Sequence, residues 1–411
     1  MTAPGTFTCR FCGSVLTETF IDLGMSPLAN AYIAPGREGE MERFYPLHVR
    51  VCSDCLLVQL PELATPAEIF SEYLYFSSVS ELWLQHAEDY ADAVTSRLGL
   101  GNASKIIELG SNDGCLLQCF MKRGIPVLGV EPAANVGKVA IANGVPTDIA
   151  FFSVATAERL VKSGHAGDLI VANNVLAHVP DLNGFVAGIK LLLKSGGTIT
   201  VEFPHLLNLI AERQFDTIYH EHFSYFSLLV VERVFARYGL QIYDVEPVST
   251  HGGSLRVYAR HDSDDAVSER LVVLRARESE AGLDRIETYR NFGVAVAALK
   301  CEILEFLIAA RRSGKSVVGY GAPAKGNTLL NYLGVGREFI AFTVDRNVHK
   351  QGHSLPGTHI PIRAPEAIFA ARPDYILILP WNLKNEIMRQ LAEIRAWNGR
   401  FVVPVPSLQI T

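Results

Sequence analysis

Two Cys-x-x-Cys pairs near the start of the chain constrain its fold more than any other feature. Cys9 and Cys12 form the first, with Gly13 directly behind, and Cys52 and Cys55 form the second. Two thiolates on one tight turn can share a tetrahedral zinc, and two such turns complete a four-sulfur shell. A disulfide framework fits poorly. The chain has seven cysteines, an odd count, and its first residues have neither the basic start nor the apolar run of a secretory signal. A single redox pair would not need a second copy. Four sulfurs leave no open coordination position, so the expected zinc is structural. The remaining cysteines, Cys115, Cys119 and Cys301, fall in helical stretches among apolar residues and are expected in the core.

At 411 residues, with 49% hydrophobic and 19% charged, the chain can bury substantial cores, and roughly 150 residues per domain suggests two or three domains. A net charge of −6 argues against a nucleic-acid partner, which needs clustered cations. No apolar run reaches the ~18–20 residues that span a bilayer, so no membrane partner is expected and a cytoplasmic location is. Oligomeric state is not legible, and a monomer is compatible with the sequence.

Residues 1–65 read as a zinc-stapled unit with short strands over 47–51 and 56–60. Helical periodicity follows over 66–98, interrupted by a polar–aromatic patch over 71–78 that reads as a loop. From 105 the pattern changes to strand–helix alternation. Strands are predicted at 105–109, 127–130, 169–172 and 198–203, and helices at 115–123, 133–143, 155–163 and 182–193. Helices at 206–213 and 228–238 and strands at 241–248 and 254–260 close this unit at 263. Residues 264–312 read as a helical linker. A second α/β pattern occupies 313–411, with strands at 316–319, 340–344, 375–379 and 401–405 and helices at 325–333, 365–371 and 382–397. The predicted fold class is therefore α/β, with a zinc unit, a parallel sheet covered on both faces, and a second, smaller sheet of the same kind.

The first sheet opens with Glu108, Gly110, Ser111, Asn112, Asp113 and Gly114 at a strand-to-helix turn. Such a turn brings backbone amides close to a ligand. Glu131, followed by Pro132, ends the next strand, where a carboxylate can accept both hydroxyls of an adenosine ribose. Asn173 and Asn174 end a later strand on the same edge. The G-x-G-x-x-G of a dinucleotide site is absent. The loop resembles the E-x-G-x-G-x-G loop of class I S-adenosylmethionine-dependent methyltransferases, with Glu108, Gly110 and Gly114 matching and Asn112 in place of the middle glycine.

His178 lies just beyond Asn174, and Tyr219, His220, Glu221 and His222 form an unbroken polar run between apolar stretches. A helix would put Tyr219 and His222 on one face, whereas an extended chain would pair Tyr219 with Glu221. A carbon next to a ketone becomes a nucleophile only after losing a proton. That step needs a base working near pH ~7, a donor for the enolate oxygen and a group to orient the base. Histidine, tyrosine and glutamate supply these parts, but the pattern does not separate His220 from His222. In the second sheet, the turn from Gly319 to Asn327 carries Lys325, and Asp345 and Arg346 end the next strand ahead of Lys350. Its amides with Lys325 and Arg346 can hold a pyrophosphate, and Asp345 can meet a ribose, the arrangement of an NAD site, though no partner for a nicotinamide is evident. The run from His251 to Arg256 reads equally as a strand-entry turn.

The ordered set of double Cys-x-x-Cys, E-L-G-S-N-D-G (108–114), E-P (131–132), Y-H-E-H-F-S-Y (219–225), H-G-G-S-L-R (251–256) and G-Y-G-A-P-A-K-G-N (319–327) resembles the deoxysugar C-methyltransferases. These act on dTDP-linked 4-keto sugars in antibiotic biosynthesis. Within them the likeness is to the tetronitrose branch, which methylates C-3′ of a 3-amino-4-keto sugar. The resemblance implies a class I methyltransferase Rossmann-like sheet over 66–263 and a Rossmann-like nucleotide-sugar domain over 313–411. It implies S-adenosylmethionine and a structural zinc, with the cofactor held by Glu108 to Gly114, Glu131, Pro132, Asn173 and Asn174. It makes His222 the base, with Tyr219 beside it and Glu221, His178 and Tyr73 in support. It places the dTDP-sugar at His251, Ser254, Lys325, Asn327 and Arg346, with the zinc unit on the substrate side. The alternatives are an O- or N-methyltransferase on a nucleotide sugar, an NAD-dependent sugar oxidoreductase, and a non-enzymatic zinc adaptor.

Overall fold

Short apolar runs buried along their whole length, separated by helices, set the architecture, as parallel sheets covered on both faces require. The computed structural model describes residues 7–63, 76–79 and 81–411. The chain forms two units. Met1–Leu16, Cys52–His205 and Phe223–Asp284 make the first, and Thr17–Val51, Leu206–His222 and Arg285–Thr411 make the second. β1 (Glu18–Pro27) and β2 (Phe44–Val51) pair antiparallel in the second unit. β1 escapes a period-2 search because register shifts at Thr19/Ile21 and Asp22/Met25 break its alternation.

In the first unit β3 (Val58–Gln59) follows the second cysteine turn. It is shorter than the predicted strand over 56–60, because Leu56 closes that turn with φ 65°, a left-handed conformation no strand residue adopts. The alternating region supplies β4 (Ile106–Leu109), β5 (Val127–Val130), β6 (Thr147–Asp148), β7 (Gly167–Asn173) and β8 (Leu193–Pro204). β9 (Ser224–Tyr225) pairs antiparallel with β3, and β10 (Leu240–Val248) and β11 (Ser254–His261) complete the unit. The seven-stranded order is β10-β11-β8-β7-β4-β5-β6. The pairs among β4, β5, β6, β7 and β8 are parallel, and β11 runs antiparallel to both neighbours. The chain winds outward from β4 and then returns to β7. The carboxyl ends of β4 and β7 therefore flank a topological switch point, where open α/β sheets bind ligands.

The helices Cys115–Lys122, Ala134–Ala142, Val154–Lys162 and Leu182–Leu192 lie within a residue or two of their predicted spans. Side chains cap several starts: Ser153 accepts from the Thr156 amide and Asp181 from the Gly184 amide. Helix Glu81–Leu98 buries Ala87, Tyr90, Ala91 and Val94 against Ile106, Leu117 and Phe120. Cys119 sits in this core and Cys115 is likewise buried, as expected. Cys301 is not. Helix Phe292–Arg312 buries the stripe Val296, Leu299, Ile303, Leu307 and Ala310, and Cys301 falls off that stripe and is exposed.

The second unit carries β12 (Val317–Tyr320), β13 (Thr343–Val344), β14 (Ile362–Arg363), β15 (Tyr375–Ile378), β16 (Arg400–Val403) and β17 (Gln409–Ile410). Their order is β14-β13-β12-β15-β16-β17, parallel except for β17, with the switch point between β12 and β15. The single helix predicted over 382–397 is instead broken into a 3-10 turn Trp381–Leu383, helix Lys384–Gln390 and 3-10 segment Ala392–Trp397. Leu391, at the break between the last two, and Ile394 are both buried. Among the described residues, no helix is long and apolar enough to cross a membrane.

Candidate active site

The four cysteine sulfurs of the first unit lie within 4.8 Å of one another. Cys9 Sγ is 3.5 Å from Cys55 Sγ, and Cys12 Sγ is 3.5 Å from Cys52 Sγ. A zinc tetrahedron with ~2.3 Å bonds has edges near this length. Each pair sits on a backbone turn: the Gly13 amide donates to Cys9 O at 2.9 Å and the Leu56 amide to Cys52 O at 2.9 Å. Gly13, at φ 85°, supplies the left-handed step expected of it. These residues fit a zinc ion, and their coordination is closed, so the ion shapes the fold and does no chemistry.

At the carboxyl end of β4 the chain turns through positive φ at Gly110 (67°), Asn112 (50°) and Gly114 (77°), and after β7 at Asn174 (56°). A Cβ on Gly110 would meet Val175 Cγ2 at 2.6 Å. Glu131 Oε2 accepts from the Asn112 amide at 2.8 Å and Oε1 from the Ala133 amide at 2.8 Å, so Glu131 shapes the loop. Burial raises the pKa of Glu131. Burial raises that of Glu108 well above the usual carboxylate range, with Glu131 and Asp113 adding to the effect. Asn112 Oδ1 and Asp113 Oδ2 accept from the amides of Ser77 and Ser78, each at 3.0 Å, and so hold the start of the helical segment over the loop.

Several buried polar atoms here find no partner among the described residues: Glu108 Oε2, Ser111 Oγ, Asp113 Oδ1, Asn173 Oδ1 and both side-chain polar atoms of Asn174. Orphaned atoms gathered at the ends of two strands flanking a switch point fit a polar ligand such as S-adenosylmethionine. The sequence reading missed Glu202, at the end of β8. It is buried between Arg256 Nη2 at 2.8 Å and His86 Nε2 at 3.1 Å, and Thr250 Oγ1 donates to it at 2.7 Å. Burial opposes its charge, but these partners hold its pKa down to about 2.

In the second unit Tyr219 to His222 form neither a helix nor a strand. The His222 amide donates to Tyr219 O at 2.9 Å, closing a reverse turn. The turn stacks the Tyr219 and His222 rings with centroids 4.0 Å apart. His222 Nδ1 lies 2.9 Å from Thr217 O. A carbonyl only accepts, so Nδ1 carries the proton and the neutral ring is basic at Nε2. His220 points elsewhere: its ring packs edge-on against Tyr45 at 5.8 Å, and burial lowers its pKa. Glu221 is buried and accepts from Asn30 Nδ2 at 2.6 Å. Burial pushes its pKa up to about 7 against the Asn30 bond and the charge of Lys350.

Helix Ala324–Leu333 starts within the Gly319–Asn327 motif. Thr328 Oγ1 on this helix donates to Ile218 O at 2.9 Å, and Asn327 Nδ2 donates to Ala29 O. Lys325 Nζ donates to Asn382 Oδ1 at 2.8 Å and lies 4.6 Å from the centre of the Trp381 ring. Trp381 Nε1 donates to Asp216 Oδ2 at 2.7 Å. Trp381 and Asn382 follow β15 at the second switch point, and no sequence motif marks them. Arg346 is exposed, 3.7 Å from Glu386. Tyr219, Glu221, His222, Lys325, Asn327 and Arg346 thus share the second unit. His178, Ser254 and the loop residues belong to the first, where Ser254 Oγ donates to Thr250 O at 3.1 Å. Tyr73 lies outside the described residues, as does the side chain of His251.

Three family models match in chain order: a zinc binding domain over residues 9–70, a methyltransferase domain over 82–245, and a C-methyltransferase C-terminal domain over 249–406. The chain is 36% identical to the C-methyltransferase NovU of Streptomyces niveus over 98% of its own length and 96% of that protein. It is 32% identical to a ubiquinone biosynthesis O-methyltransferase of Bartonella quintana, over 24% of this chain and 40% of that protein. Among solved structures, an S-adenosylmethionine-dependent methyltransferase from Clostridium acetobutylicum aligns with a TM-score of 0.36 at 12% identity, covering 44% of this chain and 92% of that one. The CcbJ methyltransferase from Streptomyces caelestis aligns with a TM-score of 0.34 at 13% identity, over 43% and 90%. With a likeness to NovU that runs from the zinc cysteines to the last strands, this chain belongs to the S-adenosylmethionine-dependent C-methyltransferases.

Proposed function

We propose that this enzyme methylates C-3′ of a dTDP-linked 4-keto-deoxysugar, dTDP-3-amino-2,3,6-trideoxy-4-keto-glucose, in antibiotic sugar biosynthesis. The observation that carries the reading is the Tyr219–His222 turn, with His222 Nδ1 on the Thr217 carbonyl. Nε2 of His222 then takes the C-3′ proton. The C–H electron pair moves into a C-3′–C-4′ double bond, and charge develops on the C-4′ oxygen. Tyr219 donates a hydrogen bond to that oxygen, while Glu221, His178 and Tyr73 support the turn and the sugar. S-adenosylmethionine, when bound, supplies a methyl group on a sulfonium that is electrophilic without further activation. The residues we assign to it are Glu108, Gly110, Ser111, Asn112, Asp113, Gly114, Glu131, Pro132, Asn173 and Asn174. Lys325, Asn327 and Arg346, with His251 and Ser254, are assigned to the nucleotide sugar; a cation at a helix start suits a pyrophosphate.

The test is to incubate the enzyme with labelled methyl donor and a panel of dTDP-4-keto sugars, locating the label by NMR. Label on C-3′ supports the reading, and label on oxygen or nitrogen refutes it. In deuterated water without methyl donor, the C-3′ hydrogen should exchange at an enzyme-dependent rate. The cofactor assignment has its own check. A Glu131→Gln change places an amide nitrogen against one of two backbone N–H donors and removes a ribose acceptor. Calorimetry with S-adenosylhomocysteine should register binding weakened by roughly 10-fold or more, since a hydrogen bond to a charged group contributes ~1.5–3 kcal/mol. Unchanged affinity would remove Glu131 from the cofactor site.

A further inference from the structure

Asn30, bonded to Glu221, begins a chain of polar groups that no step above uses. Asn30 Nδ2 donates to Glu221 Oε1 at 2.6 Å. Tyr32, two residues on, donates from its hydroxyl to Ala322 O at 2.6 Å, and Lys350 Nζ donates to the same carbonyl at 2.9 Å. Lys350 also lies 5.0 Å from the centre of the Tyr32 ring. The Ala322 amide in turn donates to Asp345 Oδ2 at 2.7 Å. Three distant stretches of sequence, 30–32, 322 and 345–350, thus meet at Ala322, and Asn30 joins the first of them to the Glu221 carboxylate.

We propose that Lys350 and Asn30 are positioning residues that orient Glu221 and favour its charged form on the Tyr219–His222 turn. The inference rests on the reading of Glu221 given above as a support for the base. Its chemical sense is direct. As His222 takes a proton it becomes an imidazolium, and a carboxylate one residue away in the same turn favours that cation, whereas a neutral carboxylic acid does not. Burial alone would neutralise Glu221. The titratable and charged groups around it are Tyr32 from the N-terminal segment, next to the bonded Asn30, Lys350 with Asp345 behind it from the loop after β13, and its turn neighbours Tyr219, His220 and His222. Lys350 is the one cation among these permanently charged at neutral pH. Burial would lower its pKa, but Tyr32, Asp345 and Glu221 hold it above the ordinary lysine value, so it stays protonated where the enzyme works.

The test follows the Glu221 carboxyl directly, by carbon-13 NMR of the full-length, zinc-loaded enzyme with labelled glutamate. A Glu221→Gln variant assigns the signal. In Lys350→Met, losing an opposite charge should raise the titration midpoint of Glu221 by about one pH unit or more. Asn30→Ala should move it in the same direction, while Lys350→Arg should leave it within about 0.3 units of wild type. If Lys350→Met does not fold, Lys350→Gln and Asn30→Ala carry the same measurement. A midpoint unmoved by removal of the charge or of the amide overturns the inference. The pH profile of kcat/KM separates this outcome from failure of the underlying reading. The acid limb, which also carries the titration of His222, should move with the NMR midpoint in Lys350→Met and lose that component in Glu221→Gln. A profile indifferent to Glu221→Gln would strike Glu221, and its positioning pair with it, from the mechanism.

Discussion

A His222→Asn enzyme is expected to bind S-adenosylhomocysteine as the wild type does and to transfer methyl groups about 10²–10⁴-fold more slowly, the range a positioned general base contributes. Asparagine can still donate a hydrogen bond to the Thr217 carbonyl that holds His222 Nδ1, so the turn closed between Tyr219 and His222 should persist. What disappears is the basic nitrogen. The same variant should stop exchanging the C-3′ hydrogen with solvent, which separates loss of the base from loss of methyl transfer. A His220→Asn control is expected to behave differently, because that ring packs on Tyr45 and burial already disfavours its charged form. Single-turnover kinetics of the two variants side by side provide the measurement. His222→Asn turnover within a few-fold of wild type would move the base to another residue.

The distinction between His220 and His222 was out of reach of the sequence, and the reason is geometric. Both periodicities available to a four-residue polar run assume regular structure, and this run is a reverse turn. A turn stacks Tyr219 on His222, as a helix would, yet the tautomer is set by Thr217, which carries no motif. Features within a few residues of one another were legible: the cysteine pairs, the Glu108–Gly114 loop and the strand–helix alternation of both sheets. Partners distant in sequence were not. Asn30 meets Glu221 and Trp381 meets Asp216 only because the fold returns those segments to one place. A lone asparagine or tryptophan in a loop is too common to signal such a meeting. Cys301 failed for another reason. On a long helix with apolar residues on several faces, periodicity leaves the buried stripe ambiguous by a residue or two.

Removing one zinc ligand should have the largest effect on stability. In Cys9→Ser a hydroxyl replaces a thiolate in a four-sulfur shell, and the protein is expected to lose its metal and to melt at least ~10 °C lower, or to become insoluble. Binding of a structural zinc is worth ~10–16 kcal/mol in small zinc domains, comparable to the ~5–15 kcal/mol that stabilises a typical fold. The damage should not stay local. Arg10, between the two ligands of the first turn, donates to Pro180 O at 3.1 Å and to Leu60 O, and its guanidinium lies 5.4 Å from the centre of the Phe223 ring. Asn183, in the first turn of helix Leu182–Leu192, donates to the carbonyls of Arg10 and Phe11, each at 3.0 Å. Gln59 bridges the Arg10 amide and the Cys9 sulfur. The zinc turn is therefore wired into the start of the cofactor sheet's fourth helix and into Phe223, the residue that follows His222. Releasing the metal should loosen the segments after β7 as well as the cysteines. Zinc content by atomic emission, thermal melting by circular dichroism and amide hydrogen exchange over 176–192 make the comparison. A zinc-free variant that melts with the wild type and keeps its exchange protection there would show that the thiolates pack without the ion and that the metal does not hold this end of the sheet.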